Sequence, residues 1–312
     1  MSRRTGFLLV VVGSVFFAST GVMSKAAIDG GVAPLELASF RSYGAALILL
    51  PFLLASLRRL RRTDLVPVGL FALIGIVLAQ GSYYESISRM DIAVTIVIVY
   101  TGPLAVAAYQ RVFHGERLPA IGYAAMAVAI AGVALTVLGG SGGAGEISAV
   151  GVVFALVTAI AFAGQVILGA RQPLTLPPLA RTGAGMLAAA LIWTAAVPFW
   201  SLPFDVLSHD TALGGRIDVT IPVGLAVAYG IVLGSVIPYA MVITGFGRIG
   251  AGSGSMAGMA EPIAAPLLAW FVLGQSLEPL QVAGIAVAVL GVAVVERQRA
   301  ALAAGEIGVA EL

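Results

Sequence analysis

The sequence predicts an all-α membrane protein of ten transmembrane helices, arranged as two inverted five-helix repeats with both termini cytoplasmic. Three observations carry this. Of 312 residues, 60% are hydrophobic and 10% charged, and mean hydropathy is +1.04. A soluble domain carries roughly 25% charged residues, so this chain has too little polar surface to cover a globule in water. Apolar segments of about 20 residues, the length that spans a bilayer, recur ten times. Finally, residues Arg89 to Leu135 match Arg248 to Val294 at a constant offset of 159, with 12 of 47 pairs identical. The anchors are Arg89/Arg248, Pro103/Pro262, Gly115/Gly274, Leu118/Leu277 and Gly132/Gly291. Matching halves in a hydrophobic chain mark transporters built from structural repeats.

The elements follow in order. Span one (7–28) comes after Ser2, Arg3 and Arg4, as a secretory leader would. Its length and the nine spans behind it make it an uncleaved first helix. Span two (34–56) is followed by Arg58, Arg59, Arg61 and Arg62, and span three (66–88) carries Gln80, Tyr83, Tyr84 and Glu85. Span four (91–113) holds Tyr100 and Pro103, and the turn after it holds Arg111 and Arg117. Span five (120–138) leads into the Gly-rich linker Gly139 to Gly145. Spans six (148–170), seven (178–200), eight (221–245), nine (250–273) and ten (279–296) complete the second half. The division is therefore a first repeat at 1–140, a second at 146–299 and a cytoplasmic tail at 300–312.

Orientation follows from the basic residues, which concentrate in cytoplasmic loops. Twelve fall on one side: Arg3, Arg4, the four between spans two and three, Arg111, Arg117, Arg171, Arg248, Arg297 and Arg299. The other side has Lys25, Arg89 and Arg216, while Arg41 and Arg181 lie inside spans. Five spans per half then place the second repeat upside down relative to the first. Arg outnumbers Lys sixteen to one, which suggests a GC-rich bacterial genome and hence a bacterial inner membrane.

The paired segments Tyr100-Thr101-Gly102-Pro103…Gly115-Glu116-Arg117-Leu118 and Ala260-Glu261-Pro262…Gly274-Gln275-Ser276-Leu277 resemble the drug/metabolite transporter superfamily, specifically its EamA-type members with ten spans. The resemblance covers residues 5 to 297. Within that group the chain is similar to YddG-type exporters of aromatic amino acids and methionine. The resemblance implies alternating-access export of a small metabolite. Family members often carry Trp or Asn in span one, where this chain has Phe16-Phe17-Ala18-Ser19-Thr20.

Glu261 is the leading site candidate. A charge at bilayer centre costs roughly 2.5–3.5 kcal/mol on insertion scales, so it must face a wet cavity or the bundle interior. Its counterpart is Gly102, so the shared architecture does not need it. It is either structural, protonated or bonded to backbone freed by Pro262, or it contacts a substrate amine or carries a coupling proton. Pro103 and Pro262 are expected to kink their helices, either for shape alone or to aim freed carbonyls at substrate. Pro238 is similar without a registered partner.

Tyr100 is too central for an interfacial belt, and its ring and hydroxyl suit a cavity wall. Gln80, Gln165 and Tyr239 lie well inside their spans, where they either glue helices together or contact substrate. Tyr83 and Tyr84 are cavity candidates too, although Tyr83, Trp193 and Trp200 also suit an interfacial belt. Gly250, Gly254 and Gly258 form a small-residue stripe for close helix packing. Lys25 is expected to snorkel to the interface, and Arg41 to pair with Glu36 or Glu85, with a substrate carboxylate as the lesser option.

Several classes are excluded. There is no cysteine, so no disulfide, thiolate chemistry or cysteine-ligated metal. His114 and His209 fall in loops, which supports no metal site. There is no phosphate loop, no Gly-x-Ser-x-Gly and no dinucleotide fingerprint, so neither a primary ATP-driven pump nor a cofactor is expected, and an excess of 17 basic over 15 acidic residues is too small to argue for a nucleic-acid partner. The expected partners are a small-molecule substrate, the lipid bilayer and, as a candidate coupling ion, the proton. The rivals are a multidrug or sugar-type carrier on the same fold, an intramembrane enzyme, and a channel.

Overall fold

A computed structural model describes residues 3–113, 115, 118–139, 147–169, 175–216 and 218–303. Side chains at 3, 169, 243, 246, 247, 250–256 and 303 are outside that description. His114, Arg117 and Arg171, used above, lie outside the described residues, as do most of the glycine-rich linker and of the expected tail.

The chain is mostly helical. In order it forms α1 (Arg3–Asp29), α2 (Pro34–Leu54), α3 (Leu65–Leu70), a π-helical stretch Phe71–Leu78, α4 (Ala79–Ile87), α5 (Ile92–Val99), α6 (Gly102–Phe113), α7 (Ala120–Gly139), α8 (Ala149–Gly169) and α9 (Pro178–Ala196). The hairpin strands β1 (Asp210–Gly214) and β2 (Asp218–Pro222) follow, then α10 (Val223–Ile231), a second π-helical stretch Val232–Val236, α11 (Ile237–Gly258), α12 (Ala260–Leu273) and α13 (Pro279–Ala303). Among the described residues nine helical stretches are long and apolar enough to cross a membrane. Leu47, Ile160, Leu191 and Leu290 lie outward and exposed, which only a lipid solvent makes favourable.

Two expectations change here. Spans eight and nine were to separate between 245 and 250, yet the helix runs on to Gly258 and breaks at Met259. No proline lies between 245 and 258, and glycine weakens a helix without stopping it. Pro262 does force a break, because its ring and missing N–H forbid the preceding turn. The resulting α12 has 14 residues, about 21 Å at 1.5 Å per residue, short of the roughly 30 Å hydrocarbon core. The protein is also not purely helical. Asp210↔Pro222 to Gly214↔Asp218 pair as an antiparallel hairpin, built on the β-branched run Val219-Thr220-Ile221. The hairpin turn is tied to α12: Gly215 N–H donates to Val272 O, and Arg216 lies 4.1 Å over the Trp270 ring.

The repeat anchors acquire physical reasons. Pro103 sits in the first turn of α6 and Pro262 in the first turn of α12, so each breaks its helix rather than kinking it. Gly115 and Gly274 both adopt left-handed φ, +71° and +69°, as helix-ending glycines do. The two π-helical stretches also correspond, Gly75 to Gly234 at the same offset.

Gly132 of α7 lies against the Ala288 backbone of α13, and Gly291 of α13 lies against the Ala129 backbone of α7. Ala129 and Ala288 are themselves offset by 159, so the contact is reciprocal. Further along, Gly284 meets Thr136 and Gly139 meets Gln281, which makes the two helices antiparallel.

Candidate functional site

A cavity of about 590 Å³ opens between the helices of both halves. Gln80, Tyr83, Tyr100, Gln165, Tyr239 and Glu261 all line it, as do Pro103 and Gly258. Tyr84 does not: it is fully buried beside the cavity, and its hydroxyl accepts a bond from Arg41.

The helix breaks create the centre of this site. Tyr100 follows the last residue of α5, where the chain turns before Pro103. Its hydroxyl donates to Glu261 Oε2 at 2.8 Å. Glu261 lies in the first turn of α12, where unpaired N–H groups and the helix dipole favour a carboxylate. Pro262 has no N–H for the Gly258 carbonyl, and that carbonyl accepts a long bond from Tyr100 at 3.5 Å.

A second backbone carbonyl, again close to a proline, holds Arg41. Gly234 lies in the π-helical stretch just before Pro238, which has no N–H to offer the carbonyls one turn back. Arg41 Nη2 donates to Gly234 O, Nε donates to Ser235 Oγ at 2.6 Å, and Nη1 donates to the Tyr84 hydroxyl at 2.7 Å. The expected carboxylate partners are engaged elsewhere: Glu36 accepts from Ala33 N–H at the start of α2, and Glu85 pairs with Arg89 one turn on. Arg41 instead lines the cavity. In the other half, Gly75 O of the first π stretch accepts from Gln165 Nε2 at 2.8 Å. Gln165 also donates to the Tyr239 hydroxyl at 3.3 Å, and Tyr239 packs edge-on to Phe17 at 5.2 Å.

The walls close asymmetrically. Towards the hairpin, Phe40, Leu202, Val223 and Ala265 belong to one continuous buried cluster. At the other end the cavity reaches Glu296 and Arg299 near the end of α13, where Arg299 bonds Glu296 at 2.7 Å and Gln110 at 3.2 Å.

Other residues depart from expectation. Lys25 pairs with Asp29, one helical turn further along α1, at 2.8 Å. Trp193 is buried in the core, so it belongs to no belt, whereas Trp200 is exposed. Tyr83 faces the cavity, and Gly21 leaves room for its hydroxyl, which a Cβ there would meet at 2.5 Å. A Cβ on Gly258 would meet nothing within 4 Å, so that glycine opens cavity space instead of packing helices. The surroundings of Gly250 and Gly254 lie outside the described residues. The sequence reading missed the wall residues Phe162 and Thr158 and the Arg41 anchor Ser235. The equivalence of Gly75 and Gly234 was the available signal for the π stretches.

A paired-half, cavity-centred helical bundle has known counterparts. Residues 4–138 and again 149–297 match the EamA-like transporter family. The chain belongs to this family. A curated relative, the "Uncharacterized transporter YwfM" of Bacillus subtilis (strain 168), is 24% identical over 283 residues, 90% of each chain. A solved structure described only as "Crystal structure of protein" aligns with a TM-score of 0.60 at 18% identity, covering 94% of this chain and 96% of that one; it shows the fold alone. As an EamA-like protein, the chain is a multi-pass membrane transporter, and membership points away from the enzyme rival.

Proposed function

We propose that this EamA-like transporter is a ten-span secondary carrier of two inverted repeats, with cytoplasmic termini, in a bacterial inner membrane. It exports neutral amino acids, aromatic ones and methionine foremost, by alternating access. Reciprocal packing of Gly132 on Ala288 and Gly291 on Ala129 along antiparallel helices supports a twofold relation between the halves. The short α12 then counts as the ninth crossing together with the end of α11.

The observation that carries the substrate class is the cavity itself. Its 590 Å³ lies within the roughly 300–1,000 Å³ of small-molecule sites. Most of its central polar groups are amides and hydroxyls set among Val, Ile and Phe. Arg41 and Glu261 oppose each other in sign, so no net charge awaits a phosphate ester, which would need an Arg cluster to replace its hydration. A zwitterion carries no net charge, and a few polar contacts repay its desolvation. Proteoliposomes loaded with phenylalanine or methionine are expected to show saturable counterflow of the labelled compound. Flux of a sugar phosphate with none of either amino acid overturns the assignment.

A further inference from the structure

The cavity wall holds one guanidinium and one carboxylate, and neither neutralises the other: among the described residues no ion pair includes Arg41 or Glu261. A guanidinium has five N–H donors. Arg41 places one each on Ser235, Tyr84 and Gly234, all uncharged acceptors, so two remain. A buried cation held only by neutral groups is costly and is retained in membrane proteins where a function requires it. On the acidic side Glu261 takes one bond from Tyr100. Gln80 Oε1, also on the cavity wall, is a buried acceptor with no hydrogen-bond partner. Buried acceptors are normally satisfied, and a turn of the Gln80 side chain, which lines the cavity, would bring this one to a donor on the ligand.

We infer that the cavity is a two-pole zwitterion site: Arg41 takes the α-carboxylate, and Glu261 with Gln80 Oε1 takes the α-ammonium group. The inference rests on the amino-acid reading above and adds which residue binds which pole. Three anchors hold the guanidinium in place, so it presents its free N–H groups without reorganising. A ligand lacking either pole leaves the matching protein charge buried and unpaired, the more expensive of the two errors.

The test is competition against labelled phenylalanine counterflow by unlabelled phenylalanine, 2-phenylethylamine, which lacks the carboxylate, and 3-phenylpropionate, which lacks the amine. On the wild-type protein both analogues are expected to compete at least about tenfold more weakly than phenylalanine, the scale of a charge-assisted hydrogen bond. In Arg41→Gln the advantage over 2-phenylethylamine should fall below about threefold while that over 3-phenylpropionate persists, and Glu261→Gln should reverse the pattern. Where Arg41→Gln does not fold, Ser235→Ala removes one anchor and should shift discrimination the same way. Equal competition by all three compounds on wild type, or unchanged discrimination in the variants, overturns the pole assignment while the amino-acid reading stands. Absence of any phenylalanine counterflow removes both.

Discussion

The Tyr100 hydroxyl bonds the Glu261 carboxylate at 2.8 Å, and each residue stands at the helix break of its own half. The same proline-enforced interruption, placed twice by the repeat, brings an aromatic hydroxyl and an acid to one cavity wall. The bond therefore joins the two halves at the point where substrate is proposed to sit.

Removing that hydroxyl is expected to weaken transport without unfolding the protein. Tyr100→Phe deletes one bond to a charged group, about 1.5–3 kcal/mol, or roughly a tenfold or larger loss in transport efficiency by the usual conversion. Glu261→Gln keeps the shape and the bond but removes the charge, so its flux or its pH profile should change. Wild-type flux with an unaltered profile in proteoliposomes returns Glu261 to a structural role.

The α7–α13 contact makes a symmetrical prediction about stability. A side chain on Gly132 collides with the Ala288 backbone, and one on Gly291 comes within 2.6 Å of the Ala129 nitrogen. Gly132→Leu and Gly291→Leu should each abolish the monodisperse peak of detergent-solubilised protein in size-exclusion chromatography. Gly69→Ala, where a Cβ meets nothing within 4 Å, should elute as wild type, since alanine is the better helix former by up to about 1 kcal/mol. A tolerated leucine at either packed position contradicts the reciprocal interface.

Topology is open to direct measurement. Reporter fusions after Arg62 and after Arg299 should both read cytoplasmic, because basic residues concentrate at those ends. A periplasmic signal from either breaks the inverted arrangement.

Much of this was legible from residues alone, and the gaps have physical causes. The 159-residue offset marks Pro103, Pro262, Gly115 and Gly274 in the sequence, and each is a break or a helix end in the fold. Glu261, Tyr100, Gln80, Gln165 and Tyr239 stood out as polar groups deep in apolar spans, and they line one cavity. Arg41 departs from expectation because a charge suggests an opposite charge as partner. Its partners are instead a hydroxyl pair and the carbonyl of Gly234 in a π-helical stretch, which no side-chain pattern announces. Gly258 differs from the packing expected of a four-residue glycine stripe because the space beside its Cα is open, which residue spacing alone does not reveal. The hairpin was missed because a ten-span reading treats 201–220 as connection, although Val219-Thr220-Ile221 favours a strand.

The central claim is that one cavity shared by both halves binds the transported amino acid. The chain contains no cysteine, so a single introduced thiol reports without background. Ala79→Cys places it at a half-buried position on the cavity wall, and Leu191→Cys places it on the exposed, lipid-facing surface. A membrane-impermeant maleimide, applied to the side bearing Arg299, should label the Ala79→Cys protein and not the Leu191→Cys control. Saturating phenylalanine should slow that labelling with a concentration dependence matching its counterflow. Labelling that no amino acid slows, in protein that still transports phenylalanine, contradicts the claim that this cavity is the transport site.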